Sequence, residues 1–435
     1  MSKPSAKKSI LLLSHNFSPE PTGIGKYNGE MMDWLCKNGY NTTVITTFPY
    51  YPFWKVQAPY TNKWYKSERI EYPEQGTVMT IYRCPIYIPA FPTGVKRMLQ
   101  DVLLWPVKLV VVLQQILFKK KHDLLITVAP PFHLAQLAFF YRFFRGGKID
   151  YHIQDLQIEA AQQLNILGSY KLFNLMYKIE KKILRGSDYV STISEGMMNK
   201  VEEKAGRKVL FLPNWADTSF FYPLDDREAA KKRWGFKPDD RVCLYSGSIG
   251  EKQGLESIIC AAEILKGQPR IKFVIAGSGP YKTNLTELAE ARGLSNVFFF
   301  PLQDKEHFNA FLNMADLHLI IQKGNASDLV MPSKLTTILA VGGVSIVTAP
   351  HGTSLEQVIN ENNVGMVTSP DDTQELATAI QNILTKNMDE MRQNARDYAL
   401  KYLNIDNVMQ TFLNDVGIKR LKKHTKKSGD LQYNG

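Results

Sequence analysis

The sequence is poor in cysteine. Only Cys36, Cys84, Cys243 and Cys260 occur among 435 residues, far apart and never as a CxxC pair. That excludes a disulfide scaffold and any zinc-ligand spacing, and points to reduced, buried thiols in a cytoplasmic protein. Uninterrupted apolar runs are missing too. The most membrane-like segment, Val102–Phe118, contains Pro106, Lys108, Gln114 and Gln115, and falls short of a span of about 18–20 apolar residues. The start does not read as a signal peptide, because Ser2–Lys8 is polar and Ile10–Leu13 is too short an apolar region. DxD, HExxH, GxSxG, Walker A and kinase signatures do not occur. The dinucleotide fingerprint fails as well: the glycine after Gly23 and Gly25 is Gly29, and Phe48-Pro49-Tyr50 follows the second strand where an acid would stand. These absences argue against metallohydrolases, serine hydrolases, kinases and nicotinamide enzymes, and the expectation is of no metal and no cofactor.

What is present is an ordinary globular composition, 44% apolar and 22% charged, with length for two or three domains. The net charge of +11 is concentrated at the ends: Lys419, Arg420, Lys422, Lys423, Lys426 and Lys427 precede Asp430, and Lys3, Lys7 and Lys8 open the chain. No basic face interleaved with aromatics marks a nucleic-acid binder. An anionic membrane surface is the expected partner, since clustered Lys and Arg gain about 1 kcal/mol each near acidic lipids. Val102–Phe118, flanked by Lys96, Arg97 and Lys119–Lys121, fits an interfacial helix whose lysines reach for headgroups. A helix buried between a sheet and its neighbours fits equally well.

Strand-like and helical runs alternate almost from end to end. Ser9–Ser14, Thr42–Thr47, Leu124–Val128, Lys148–Ile153 and Tyr189–Ile193 read as strands, with helices over Lys26–Lys37, Phe132–Phe144 and Tyr170–Arg185. After a turn-rich stretch near 213–225 the rhythm restarts with strands at Val242–Ser246, Ile271–Ala276, Val297–Phe300, Leu317–Ile321 and Ser345–Thr348. The pattern predicts an α/β protein of two doubly wound, Rossmann-like parallel-sheet domains facing across a cleft, with ligands at the carboxyl ends of the strands. Three glycine turns stand at such ends: Pro19–Lys26 with Gly23 and Gly25; Ser246–Gly254 with Gly247, Ser248 and Lys252; and Ala276–Pro280 with Gly277, Ser278 and Gly279. Backbone N–H groups at helix amino ends, aided by a lysine, suit a diphosphate.

Several runs carry a family resemblance. They are Phe17-Ser18-Pro19 to Gly25, Gly39–Ile45, Pro213-Asn214 with Asp217 and Phe221-Tyr222-Pro223, Val274–Pro280, and Pro332–Val347. Together they resemble the retaining, GT-B-fold glycosyltransferases of family 4 over roughly residues 9–415. His152–Leu156, Tyr245–Glu256 and Met331–Leu335 are most similar to the colanic-acid-type exopolysaccharide enzymes. The resemblance implies an acceptor-binding domain over 1–213, with a membrane-facing helix around 94–121, and a nucleotide-sugar-binding domain over 214–400. A helix over 401–420 would pack back on the first domain, and 421–435 would form a basic, disordered tail. It also implies metal-independent transfer of a sugar, GDP-fucose being one donor, to a lipid-diphosphate-linked saccharide. The protein would be peripheral on the inner face of the cytoplasmic membrane.

Without a metal, the leaving diphosphate must be stabilised by Lys252, backbone N–H groups and helix amino ends. The expected donor site is Gly23, Gly25, Gly247, Ser248, Lys252, Gly277, Ser278, Gly279, Ser333, Lys334 and Thr337. Asp155, at a strand end, is the candidate to orient or deprotonate the acceptor hydroxyl; capping of the following helix is the competing role. The family's paired glutamates are replaced by Leu329 and Thr337, and Ser248 stands where many members carry Arg. Those replacements motivate a second reading, a catalytically inactive binding or assembly partner. A sugar-nucleotide epimerase is a third, though no cluster of acids with a histidine supports it.

Overall fold

The computed structural model describes residues 7–20, 23–91, 94–163, 170–323 and 332–418. Fourteen strands are formed among them: β1 (Ser9–Leu13), β2 (Asn41–Thr47), β3 (Lys66–Tyr72), β4 (Thr77–Cys84), β5 (Leu124–Ala129), β6 (Lys148–Ile153), β7 (Tyr189–Thr192), β8 (Leu210–Phe211), β9 (Arg241–Ser246), β10 (Ile271–Ala276), β11 (Val297–Phe300), β12 (Leu317–Ile320), β13 (Ser345–Thr348) and β14 (Gly365–Thr368). One sheet has the order β3-β4-β2-β1-β5-β6-β7-β8 and the other β11-β10-β9-β12-β13-β14. The helices that matter first are α1 (Gly23–Lys37), α2 (Gly94–Phe118), α3 (Ala135–Arg145), α4 (Gln157–Gln163) and α5 (Tyr170–Gly186).

The strands form where apolar residues run on without alternation. β5, LLITVA, is buried at every position, the signature of a parallel strand covered on both faces. The hairpin β3–β4 departs from the simple strand–helix rhythm. β3, KSERIEY, is mostly exposed and pairs antiparallel with β4, so an edge strand with solvated charges carries no apolar run that a sequence reading could detect.

The six-stranded sheet reads 3-2-1-4-5-6 in its own chain order, and its winding reverses between β9 and β12. In the eight-stranded sheet the reversal falls between β1 and β5. Ligands of doubly wound sheets collect beside such reversals, at the carboxyl ends of the strands. The loops after β1 and β5, and after β9 and β12, are therefore the places to look for chemistry.

The chain divides into two compact units, Met1–His152 with Ile166–Tyr189 and Thr411–Gly435, and Ile153–Asn165 with Val190–Gln410. In the second, the turn-rich stretch near 213–225 is held by Arg396, whose guanidinium donates to the carbonyls of Phe221 (2.8 Å), Thr218 (3.0 Å) and Ala340 (2.6 Å). In the first, the carbonyl of Val416, just past the helix Ile405–Asp415, accepts from the Tyr189 hydroxyl at 3.0 Å. The basic tail, 421–435, lies outside the described residues, as does Leu329.

Helix α2 is long and apolar enough to cross a membrane by length and composition, and only 28% of its most apolar window is buried. Its inward face mixes polar and apolar residues. Gln100, Leu104, Lys108, Val111, Val112 and Gln115 are buried, while Val95, Leu99, Val102, Leu103, Val110, Leu113, Leu117 and Phe118 are exposed. A surface helix of a globular domain ordinarily does the opposite.

Candidate functional site

The loops after β9 and β10 lie side by side. Gly247 N–H donates to the Ala276 carbonyl (3.0 Å), Ile249 N–H to Ser278 (2.9 Å), and Tyr281 N–H back to Ile249 (3.3 Å). This ladder explains two glycines. A Cβ on Gly277 would stand 1.8 Å from the Gly247 oxygen, and one on Gly279 2.0 Å from the Ile249 oxygen, so only glycine fits. The zipped loops leave Ser248 and Ser278 exposed, and the Tyr245 hydroxyl fixes the first loop by donating to the Ser248 carbonyl at 2.7 Å.

A cation completes the corner. Lys334 is the second residue of the helix Ser333–Ala340, and its Nζ sits 3.8 Å from the centroid of the Tyr245 ring. A Cβ on Gly247 would be 3.2 Å from that Nζ, so the ammonium lies against the loop backbone. Burial lowers the Lys334 pKa to about 7, against the pull of the aromatic face, which favours the charged form. Ser333 is exposed at the same helix start. Thr337, one turn on, donates its hydroxyl to the Lys334 carbonyl at 2.9 Å, which leaves it only acceptor capacity toward a ligand. From the loop after β12, Lys323 lays its aliphatic stem over Gly254, where a Cβ would meet Lys323 Cγ at 2.9 Å. Exposed hydroxyls, the amino end of the helix Ser333–Ala340 and two lysines around a backbone cradle give this corner the chemistry to hold an anion.

The loops after β1 and β5 enclose a different set. His15, just past β1, is buried, with Nε2 3.1 Å from the Tyr50 hydroxyl and Nδ1 3.7 Å from Asp101 Oδ1 of α2. Burial first, then the nearby Lys108 and His133, lower its pKa to about 3. His133, after β5, is held at about 4 by burial and Lys108, and its Nε2 is buried without a hydrogen-bond partner among the described residues. Both imidazoles are neutral at physiological pH. The Lys108 ammonium, 0% exposed, reaches from α2 to the carbonyls of Ser14 and, at 3.4 Å, Ile45, and burial lowers its pKa to about 8. Glu20 accepts from the N–H groups of Tyr50 and Tyr51, both at 3.0 Å; burial raises its pKa. Gly25 faces Glu20: a Cβ there would stand 2.7 Å from Glu20 Cβ. That glycine lets α1 close on the loop. Gly23 at the helix start is exposed, with a φ of +60° and nothing within 4 Å of a Cβ.

Asp155 follows β6. Burial raises its pKa to about 6, against a hydrogen bond from the Leu156 N–H that favours the carboxylate. A carboxyl of that pKa exchanges a proton near neutrality.

The family described as "Glycosyl transferases group 1" matches residues 226–402. Over 415 residues the chain is 38% identical to an Escherichia coli (strain K12) protein assigned to colanic acid biosynthesis as glycosyl transferase WcaI, covering 94% of this chain and 99% of that one. The chain belongs to the group 1 glycosyl transferases. Its GT-B fold is shared by sucrose-phosphate synthase from Thermosynechococcus elongatus, with a TM-score of 0.71 at 16% identity, covering 94% of this chain and 99% of that one. It is shared too by Anabaena HepE in complex with UDP and glucose, with a TM-score of 0.65 at 13% identity and the same coverage.

For this group 1 glycosyl transferase, the structure brings Gly247, Ser248, Gly277, Ser278, Gly279, Ser333, Lys334 and Thr337 into one neighbourhood. Gly23 and Gly25 belong to the loop after β1, and Asp155 to the end of β6. The side chain of Lys252 lies outside the described residues; its backbone forms the short helical turn Glu251–Gln253. Among the described residues, no group of three or more His, Cys, Asp or Glu is placed to hold a metal ion. None of Lys323, His15, Glu20, Lys108 and His133 stands out as a site residue in the sequence. Lys108 left a trace, as the charge that interrupts an apolar run on the same helical face as Gln100 and Gln115. The others depend on strand order, which no local pattern encodes.

Proposed function

We propose that this glycosyl transferase moves a sugar from a nucleotide donor of the GDP or UDP class, GDP-fucose among the candidates, to a lipid-diphosphate-linked saccharide in exopolysaccharide or O-antigen assembly. Retention at the anomeric carbon and independence of metal are part of the proposal. The observation that carries it is the anion cradle at the reversal of the six-stranded sheet, with Lys334 against Gly247. As the bond to the sugar breaks, negative charge grows on the departing diphosphate. Lys334, the hydroxyls of Ser248 and Ser278, and the helix amino end at Ser333 meet that charge, with Lys252 and Lys323 adding to the field. Asp155 accepts the proton of the acceptor hydroxyl. The relative assigned to colanic acid biosynthesis supports the polysaccharide class, and the likeness to a fold neighbour holding UDP and glucose supports the donor class.

The outward apolar side of α2, with Lys96, Arg97 and Lys119–Lys121 at its ends, supports peripheral attachment to the inner face of the cytoplasmic membrane, where a lipid-linked acceptor resides. Transfer of radiolabelled sugar from GDP- and UDP-sugars to a lipid-diphosphate acceptor, in a single turnover and with chelator present, tests the whole reading. No transfer with any donor would favour the second reading, a binding partner, for which the replacement of a family glutamate by Thr337 speaks.

A further inference from the structure

Beyond α2, the first unit carries a second unusual surface. Helix α3 ends in Phe139-Phe140-Tyr141-Arg142-Phe143-Phe144-Arg145. Phe143 and Phe144 are 83% and 56% exposed and lie edge to face, their centroids 5.0 Å apart. Two large aromatics left in water side by side call for a partner. The neighbouring helix α5 presents Lys171, Lys178, Lys181, Lys182 and Arg185 to solvent, with Leu172 and Leu175 also exposed. Its one acid, Glu180, is buried. Between the two helices opens a cavity of about 360 Å3, lined by Phe139, Ile179 and Ile183 together with Arg142 and Lys182. Arg142 ties α3 to the end of α5, donating to the Gly186 carbonyl and the Asp188 carboxylate, each at 3.1 Å.

This surface adjoins the end of α2. Arg145 donates to the carbonyl of Lys119, one residue past the exposed Leu117 and Phe118. The apolar side of α2, the aromatic pair of α3 and the lysines of α5 therefore belong to connected elements.

We infer that α3 and α5 form a second membrane-docking surface that selects anionic phospholipid: the Phe143–Phe144 pair seats in the headgroup region, and Lys178, Lys181, Lys182 and Arg185 bind acidic headgroups. The inference rests on the peripheral attachment proposed through α2 and assigns the two surfaces different work. The outer face of α2 inserts into any leaflet, because burial of its apolar side chains is indifferent to lipid charge. The α3–α5 surface supplies the preference for acidic lipid, an attraction that weakens with salt. The occupant is argued from charge: among the described residues of α2, α3 and α5 no exposed acid opposes these cations.

Cosedimentation of the full chain with vesicles of neutral phosphatidylcholine, and of phosphatidylcholine with phosphatidylglycerol, tests this. The intact protein should bind both, the acidic vesicles more tightly. Phe143→Ser with Phe144→Ser should weaken binding to acidic vesicles, and separately Lys181→Gln with Lys182→Gln should weaken it by roughly thirtyfold, the lysine pair leaving the neutral vesicles unaffected. Leu103→Ser with Leu117→Ser should reduce binding to both. All six positions are exposed, so an unchanged melting temperature checks the fold. Undiminished preference for acidic vesicles in both α3 and α5 variants would overturn the inference while leaving attachment by α2 intact. Failure of the intact protein to bind either vesicle would overturn both. A dimer that the Phe143/Phe144 variant dissolves would give the surface to a second copy, and would also overturn it.

Discussion

Lys334 offers the sharpest test of the donor site. Its pKa in the free protein is about 7, far below the ordinary lysine value of about 10.4. At pH 8 roughly nine-tenths of the free protein would hold a neutral amine there. A diphosphate favours the ammonium, so binding at pH 8 takes up close to one proton. The sign follows directly: donor affinity falls by up to about tenfold per pH unit as pH rises above 7, because the proton must be supplied on binding. Removing the amine removes a charge-assisted hydrogen bond worth about 1.5–3 kcal/mol, or roughly ten- to hundredfold in affinity. The perturbation is Lys334→Gln, which keeps a polar stem beside Tyr245 and Gly247. Calorimetric titration with UDP and with GDP, at pH 6.5 and 8, in buffers of different ionisation enthalpy, reads affinity and proton uptake together. The expected result is weakened binding in the variant and proton uptake at pH 8 in the native protein alone. Equal affinity in both proteins, with no linked proton in either, would refute the assignment of Lys334 to the diphosphate.

Other outcomes follow from the same structure. Gly277→Ala drives a methyl into the Gly247 carbonyl, so the zipped loops must part: we expect a loss of about 1–3 kcal/mol in urea unfolding, with the nucleotide-induced rise in melting temperature abolished. An unchanged melting response would show that the loops are not the cradle. Asp155→Asn should lower kcat by about a hundredfold, remove the acidic limb near pH 6 from the rate profile, and leave nucleotide affinity untouched; near-normal turnover would take Asp155 out of the mechanism. Acid should destabilise the fold. Burial holds His15, His152 and His318 at about 3, and His122 and His133 at about 4. Between pH 4 and 6.5 the unfolded chain therefore binds more protons at these sites, and stability falls on acidification by up to about 1.4 kcal/mol per pH unit for each histidine. Glu20 and Asp155, with raised pKa values, oppose this in part. A urea midpoint that does not move between pH 7 and pH 5 would contradict the burial of these imidazoles.

Much of the fold was legible because its signals are local. Ile271–Ala276 and Ser345–Thr348 are buried runs rich in β-branched and aliphatic residues, and both, like the half-buried aromatic run Val297–Phe300, form strands with the bounds their runs suggest. The glycine turns after β9 and β10 were legible for the same reason. The hairpin strand β3 was not, since an exposed edge needs no apolar pattern. The reason for the glycines also changed on folding. Gly277 and Gly279 answer to the neighbouring loop, a contact between segments that only strand order makes adjacent, whereas Gly25 answers to Glu20 within its own loop.

By itself, then, the amino-acid order determined the alternation of strand and helix, the glycine-bearing turns, and an apolar segment near residue 110 whose setting stayed open. Tertiary structure alone decided which side of that segment faces out. One buried ammonium, Lys108, has its partners in the carbonyls of Ser14 and Ile45, on the same inward face as Leu104, Val111 and Val112. It also decided that Lys334 and Lys323, far along the chain, meet the loops after β9. Local patterns report periodicity and burial. Convergence of charges depends on how strands are ordered in a sheet, and that order is settled only when the whole chain packs.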